Sequence, residues 1–572
     1  MVQIHKVIPR HLRLTPVTMF FVILFLSMWT ASRVELVPGP DFRIAELAAV
    51  SGDEPTYVEN TTNILFHHRL SWEYTGGGGH PHEILVNRRT GRAALRFLKD
   101  PRFITPSPDI YAVSAHPPAF PLLMAACLAP FHLSGASQDT DRFYLDAYFV
   151  MMSISWLGAL VTYFIGRRIG MERGFALLTT LVLLSSPWLV YSKSYYSEPA
   201  IGLSLALALW ALESRRPMLA GLAAGAAMAF KPSFVIAGAG LVLERLWARS
   251  WRDAIEMAAV LGACGIALLS FNFWLARTLL IVGSTVSVGA GNMDSFSPKG
   301  SNPLYQTMLG PGVGLLNYAP WVIFSLLALG IVLFKRSSPL RRIAFPMALY
   351  VVLLAFFNNG PSICYGPRYW VPMLPWLAIA SVEGIRSMRW HSPIRYALGA
   401  GYLAAVIFGA AIAIPATLRY PQMFTYRTAF GSWHDLSAVG EKIAIPGRKE
   451  GYRTARNPGD PDYRGEQYLL GGGTVTRTGW TAASMSFDVE VTAPTVMMIN
   501  QYYDSNWHVA QGNGKIGSQR GVVAVALPAG KQHIVLAYRS DRVLLGMSLA
   551  LISIGAMAAL WLYECHQEHL EL

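Results

Sequence analysis

Charge is what this chain has least of. Only 14% of its 572 residues are Asp, Glu, Lys or Arg, while 53% are hydrophobic. Soluble domains carry about a quarter charged residues, so the composition excludes an ordinary soluble protein and indicates a polytopic membrane protein. Cysteine is scarce too. Cys127, Cys264, Cys364 and Cys565 lie too far apart for a disulfide framework or a zinc spacing. Internal repeats of the kind transporters carry are missing. Acidic residues are outnumbered, 34 against 47 basic, for a net charge of +13. The basic residues stand in short clusters between apolar runs, which is the positive-inside pattern of membrane proteins and excludes nucleic acid as the partner.

The apolar runs are abundant. Met1 to Arg13 is basic and leads into a run from about Pro16 to Thr30 that fits a signal peptide and an uncleaved first membrane helix equally well. Twelve spans are predicted, at 14–33, 143–165, 173–191, 198–213, 218–230, 232–246, 254–275, 314–334, 343–357, 369–388, 395–417 and 543–563. The pair at 218–246 is short for two crossings and reads as a hairpin of tilted or broken helices folded around Lys231-Pro232. Basic clusters at Arg10 and Arg13, Arg167 to Arg173, Arg215 and Arg216, Arg245 to Arg252, Lys335 to Arg342, and Arg386 to Arg395 belong on the cytoplasmic face. Counting Pro117 to Leu133 as a span would reverse every later loop. It is therefore read as a re-entrant or juxtamembrane helix.

This parity brings the polar segments to one outer face: the loop 34–142, the turn Ser192 to Ser197, 276–313, 358–368 and the block 418–540. The block has period-two stretches such as Ser484 to Val491 and His533 to Tyr538, separated by Gly512-Asn513-Gly514 and Pro528-Ala529-Gly530, and is predicted to form an extracytoplasmic β-sandwich. The division is therefore a membrane core at 1–417, a β-rich domain at 418–540, and a last span with a cytoplasmic tail at 541–572. Tyr502, Tyr503 and Trp507 are suited both to stacking on sugars and to core packing. Gly76 to Gly79 with His80 and His82 reads as a solvated loop rather than a metal site.

Four features share the outer face. Asp53 and Glu54, in Ser51-Gly52-Asp53-Glu54-Pro55-Thr56-Tyr57, are adjacent carboxylates with the marks of a capped helix start. Glu198 follows Tyr195-Tyr196-Ser197 and precedes Pro199; Lys231 stands at the break in the hairpin; Arg368 lies in Gly366-Pro367-Arg368-Tyr369. Each has a plain structural reading: Glu198 as an acid at a helix N-terminus, Lys231 snorkelling to the interface, Arg368 at a helix end or a lipid headgroup. The sequon Asn60-Thr61-Thr62 is read as a chance match in the helix after Asp53. Ionisable residues at membrane depth are costly and are either paired or functional.

These motifs, with His116-Pro117-Pro118 and Phe230-Lys231-Pro232-Ser233, stand in the order found in GT-C polytopic glycosyltransferases. Over roughly the first 390 residues the chain resembles the branch of protein O-mannosyltransferases and the lipid A aminoarabinose transferase. The resemblance implies a GT-C-like core that transfers sugar, with inversion, from a polyprenyl-phosphate donor to a hydroxyl of an envelope glycan, lipid or protein. It implies Asp53 as general base, Lys231, Arg368 and Tyr369 at the donor phosphate, and Glu54 and Glu198 near the acceptor or a metal. Tyr57, His116 and Tyr196 complete the substrate-site candidates. The expected cofactor is either a divalent cation, Mg or Mn, held by Asp53, Glu54 and Glu198, or none, since Glu-Pro at 198–199 departs from an Asp-x-Asp. The expected location is a bacterial inner membrane with the site facing the periplasm or exterior. A secondary transporter or lipid flippase of envelope precursors is the competing expectation.

Overall fold

The computed structural model describes residues 15–33, 54–73, 83–95, 108–132, 140–279, 281, 303–310, 314–333, 338–356, 367–387, 392–419, 464–480, 484–503, 507–519, 522–538 and 541–571. A helix covers each of the twelve apolar stretches, and several are broken where proline intervenes. The chain begins with α1 (Pro16–Arg33) and α2 (Glu54–His67), then four short strands: β1 (Trp72–Glu73), β2 (Glu83–Asn87), β3 (Ala93–Leu95) and β4 (Ile110–Ser114). Next come α3 (Ala119–His132), α4 (Thr140–Arg168), α5 (Arg173–Leu184), α6 (Pro187–Tyr191), α7 (Glu198–Glu213) and α8 (Pro217–Phe230). They are followed by α9 (Val235–Trp247), α10 (Trp251–Ala276), α11 (Pro303–Leu309), α12 (Leu315–Tyr318), α13 (Val322–Leu333), α14 (Arg341–Phe356), α15 (Leu374–Arg386) and α16 (Ser392–Arg419). Among the described residues, three segments are long and apolar enough to cross a membrane: Asp146–Arg168, Trp251–Ala276 and Tyr396–Ile414.

The breaks have local causes. Between α8 and α9, Lys231 is extended (φ −153°, ψ 107°), as the residue before a proline must be, and Pro232–Phe234 makes a single 3₁₀ turn before the chain turns back. The predicted hairpin at Lys231-Pro232 is therefore present. The stretch 173–191, expected as one span, is divided: the Ser186 side chain accepts from the Trp188 N–H and Pro187 opens α6. Trp188, fully buried, is clasped between α4 and α7 at Gly158 and Gly202. A Cβ on Gly158 would lie 2.5 Å from the indole, and one on Gly202 closer still.

The stretch between α1 and α3 holds a sheet that the periodicity of the sequence did not announce. Its order is β1-β4-β2-β3, antiparallel throughout. Ile84, Val86 and Val113 share a small apolar core with Leu275 and Ala276 of α10, and the Tyr111 hydroxyl donates to the Leu275 carbonyl at 3.0 Å. The sheet thus sits on the end of α10, and β4 runs directly into His116. The helix expected at 117–133 is α3, packed on α2 and α4.

The C-terminal β-region, described from residue 464, forms two four-stranded sheets: β10-β11-β8-β5 and β6-β7-β12-β9. The strands are β5 (Gln467–Leu469), β6 (Gly473–Trp480), β7 (Ser484–Val491), β8 (Thr495–Tyr502), β9 (Trp507–Gln511), β10 (Lys515–Gln519), β11 (Val522–Leu527) and β12 (Gly530–Tyr538). Met485, Phe487, Val489 and Val491 alternate inward along β7 and meet Met497, Ile499, Val523 and Val525 of the other sheet. Trp507 is part of this core, with its ring edge-on to Tyr538 at 5.3 Å, so it packs rather than stacks on a sugar. The last helix, α17 (Asp541–Glu571), packs on α1 and α5, where the Trp561 indole donates to the Gly174 carbonyl at 2.9 Å.

At the far end of α7 and α9 from Glu198 and Lys231, the basic clusters are knitted to acids. Buried Glu244 accepts from Arg341 Nε at 3.0 Å and from its neighbour Arg245, Glu213 pairs with Arg342, and Glu383 pairs with Arg386 at 2.8 Å. A salt-bridged layer therefore accounts for several of the arginines read as loop charges.

Candidate functional site

Three motifs distant in sequence meet at one carboxylate. Glu198 opens α7 with Pro199 in its first turn, so it occupies the helix N-terminus that its sequence predicts, yet it is completely buried. Its Oε1 accepts from Arg368 Nε at 2.6 Å and lies 3.4 Å from Lys231 Nζ. Oε2 is buried and has no hydrogen-bond partner among the described residues. Lys231 turns inward instead of snorkelling: its side chain is 16% exposed and its Nζ stands 4.9 Å above the Tyr369 ring. The Arg368 guanidinium lies 4.2 Å over the Tyr196 ring. Two aromatic faces therefore back the two cations, a favourable placement against the ring quadrupole.

The scaffold around this cluster fixes it. Arg368 and Tyr369 start a 3₁₀ turn, Arg368–Met373, that leads into α15. The Tyr350 hydroxyl donates to the Tyr369 carbonyl, and the Tyr350 ring is stacked on Phe234 and edge-on to Trp370. Tyr350 was not legible as a site residue. A tyrosine in an apolar helix is ordinary, and only the fold brings it under the turn.

A second layer adjoins the first. Tyr57 is buried one turn into α2, with its hydroxyl 3.4 Å from Ser197 Oγ and its ring against His116 (5.3 Å) and Phe120 (5.1 Å). The Tyr195 hydroxyl donates to Thr61 Oγ1 at 2.8 Å, joining α2 to the turn before α7. His116 is buried, its backbone N–H donating to Ser114 Oγ at 3.0 Å. Phe120 also meets Phe230, the residue before Lys231. Tyr57, His116, Tyr196, Glu198, Lys231, Arg368 and Tyr369 are thus brought into two contiguous layers. Beside them a small cavity is lined by Asn60, Ser114 and His116 with apolar walls that include Ile64 and Leu275. Asn60 is buried in α2, as suits a chance sequon.

Asp53 lies outside the described residues, as do His80, His82 and Gly366; α2 begins at the next residue, Glu54, whose side chain is also outside them. Among the described residues no group of three His, Cys, Asp or Glu side chains converges. Glu198, the expected metal ligand whose side chain is described, has one oxygen taken by two cations. The other two expected ligands, Asp53 and the Glu54 side chain, lie outside the described residues.

No family model matches the chain, and no curated protein matches it. Solved structures do. ArnT from Cupriavidus metallidurans bound to undecaprenyl phosphate is 15% identical with a TM-score of 0.42, over 71% of this chain and 70% of that one. The same protein in the apo state gives 14%, 0.41, 70% and 75%. The Archaeoglobus fulgidus oligosaccharyltransferase in the apo form gives 12% and 0.42, over 71% of this chain and 56% of that one.

Proposed function

We propose that the chain is an integral membrane glycosyltransferase. It moves a sugar, with inversion, from a polyprenyl-phosphate donor to the hydroxyl of an envelope glycan, lipid or protein. The observation that carries this reading is the meeting of Glu198, Lys231 and Arg368, from three separate motifs, in a buried and aromatic-lined cluster beside the helix that starts after Asp53.

Each role has a chemical reason. An alcohol is a poor nucleophile until a positioned carboxylate draws off its proton in the transition state, and Asp53 is the base. As the sugar leaves, negative charge grows on the polyprenyl phosphate, and the cations of this cluster stabilise it. Tyr57 and His116, packed together, line the acceptor side; Tyr196 and Tyr369 hold the cations in register. Glu54 adjoins the base, and a ligand set for Mg or Mn would have to centre on Asp53 and Glu54.

The proposed architecture is twelve spans in all, eleven in a core at 1–417 with a re-entrant α3 and the last at 541–572, with a β-sandwich at 418–540 outside the membrane. The proposed setting is a bacterial inner membrane with the site facing the periplasm. The test is purified protein in nanodiscs with a panel of short-chain polyprenyl-phosphate sugars, wild type beside Asp53→Asn, with Mg, Mn or EDTA. Sugar transfer that Asp53→Asn abolishes supports the reading. Absence of turnover together with lipid movement across proteoliposomes would replace it with a flippase.

A further inference from the structure

The two oxygens of Glu198 are used unequally, and so are its two cations. Oε1 carries both contacts, while Oε2 is buried with no hydrogen-bond partner among the described residues. The Arg368 contact, at 2.6 Å and with its side chain 5% exposed, has the length of a charge-assisted hydrogen bond held in the interior. The Lys231 contact, at 3.4 Å with the side chain 16% exposed, is longer and nearer the surface. An ammonium on a flexible stem exchanges partners more readily than a guanidinium fixed by a short bond and a ring beneath it.

We infer that Glu198 is a resident counter-anion for the donor site. It is a positioning residue that keeps Arg368 in place and yields Lys231 to the phosphate of a polyprenyl-phosphate ligand. This rests on the donor-phosphate reading given above, and it separates two cations that the sequence treats alike: Lys231 touches the phosphate, and Arg368 holds Glu198. No covalent bond forms or breaks in the exchange, and Lys231 keeps its protons while one anionic oxygen replaces another. The carboxylate competes with the phosphate, so it weakens binding and takes Lys231 back when the spent polyprenyl phosphate must leave. Release of product limits many enzymes, and Glu198 acts on that step.

The experiment is calorimetric titration of the purified full-length protein in detergent with farnesyl phosphate, with farnesol and inorganic phosphate as separate controls. Wild type, Glu198→Gln, Lys231→Ala and the double variant are compared, each with its melting curve and with and without EDTA. Farnesyl phosphate is expected to bind about fivefold tighter to Glu198→Gln than to wild type, the scale of a partly exposed charge contact. The gain should disappear in the double variant. Donor KM and kcat should fall together in Glu198→Gln, a pattern that loss of structure does not give. Weaker or unchanged binding in Glu198→Gln overturns the inference, and so does a gain that persists without Lys231. An EDTA-sensitive loss would make Glu198 a metal ligand instead. If Glu198→Gln does not fold, Glu198→Asp, whose shorter arm moves the carboxylate away from Lys231, must show the same tightening. Wild-type protein that does not distinguish farnesyl phosphate from farnesol would instead sink the donor-phosphate reading itself.

Discussion

Arg368 Nε and Glu198 Oε1 lie 2.6 Å apart across 170 residues of sequence, and both side chains are buried. A buried pair adds little net stability over an apolar substitute, but removing one partner strands the other charge. Arg368→Ala should therefore destabilise the protein by about 3 kcal/mol, measured by denaturant unfolding in detergent. Arg368→Lys should recover only part of this, because it lacks the planar face that lies on Tyr196.

Tyr350 holds the turn that presents Tyr369. Tyr350→Phe keeps the stacking on Phe234 and loses only the bond to the Tyr369 carbonyl. The expected cost is about 1 kcal/mol of stability. Donor affinity should fall with it, because the ring beneath Lys231 loses its anchor. Melting and farnesyl phosphate titration measure the two effects separately.

The clasp on Trp188 gives a test of packing away from the site. Gly202→Ala would drive a methyl into the indole ring, and overpacking of this kind costs about 1–3 kcal/mol. A matched Gly262→Ala, on α10 where an added Cβ meets nothing within 4 Å, should leave stability unchanged or slightly raised. Equal melting temperatures for the two variants would contradict the described packing.

Glu244 anchors the opposite end of the bundle. Glu244→Gln leaves Arg245 and Arg341 buried against a neutral amide, and a loss of about 3 kcal/mol is expected. Farnesyl phosphate binding at Lys231 should persist in whatever fraction remains folded. Loss of binding in folded material would couple the two ends of α7 and α9.

Much of this was legible because membrane helices write themselves in long apolar runs. All twelve stretches carry helix, and the break at Lys231 followed from its proline. Pairing was harder to read. Glu198, Lys231 and Arg368 each stood out as an ionisable group at a helix end, but sequence alone offered a lipid headgroup or the interface as readily as one another. The sheet at 72–114 was missed because its strands are two to five residues long and part of the core that buries them, Leu275 and Ala276 of α10, lies far along the chain. Tyr350 and Thr61 were missed because their roles depend on what lies across from them.

The break at Lys231 has one more consequence. Lys231 caps the C-terminal end of α8, where peptide dipoles leave partial negative charge, and Glu198 stands in the first turn of α7, where they leave partial positive charge. Each side chain therefore sits on backbone of the opposite sign, a field of about 0.3–1 kcal/mol apiece that no point substitution removes. The polarity of the site is inscribed in the direction of two helices. A variant that lacks Glu198 still has a place drawn for a cation at residue 231, and one that lacks Lys231 still has a seat for an anion at the head of α7.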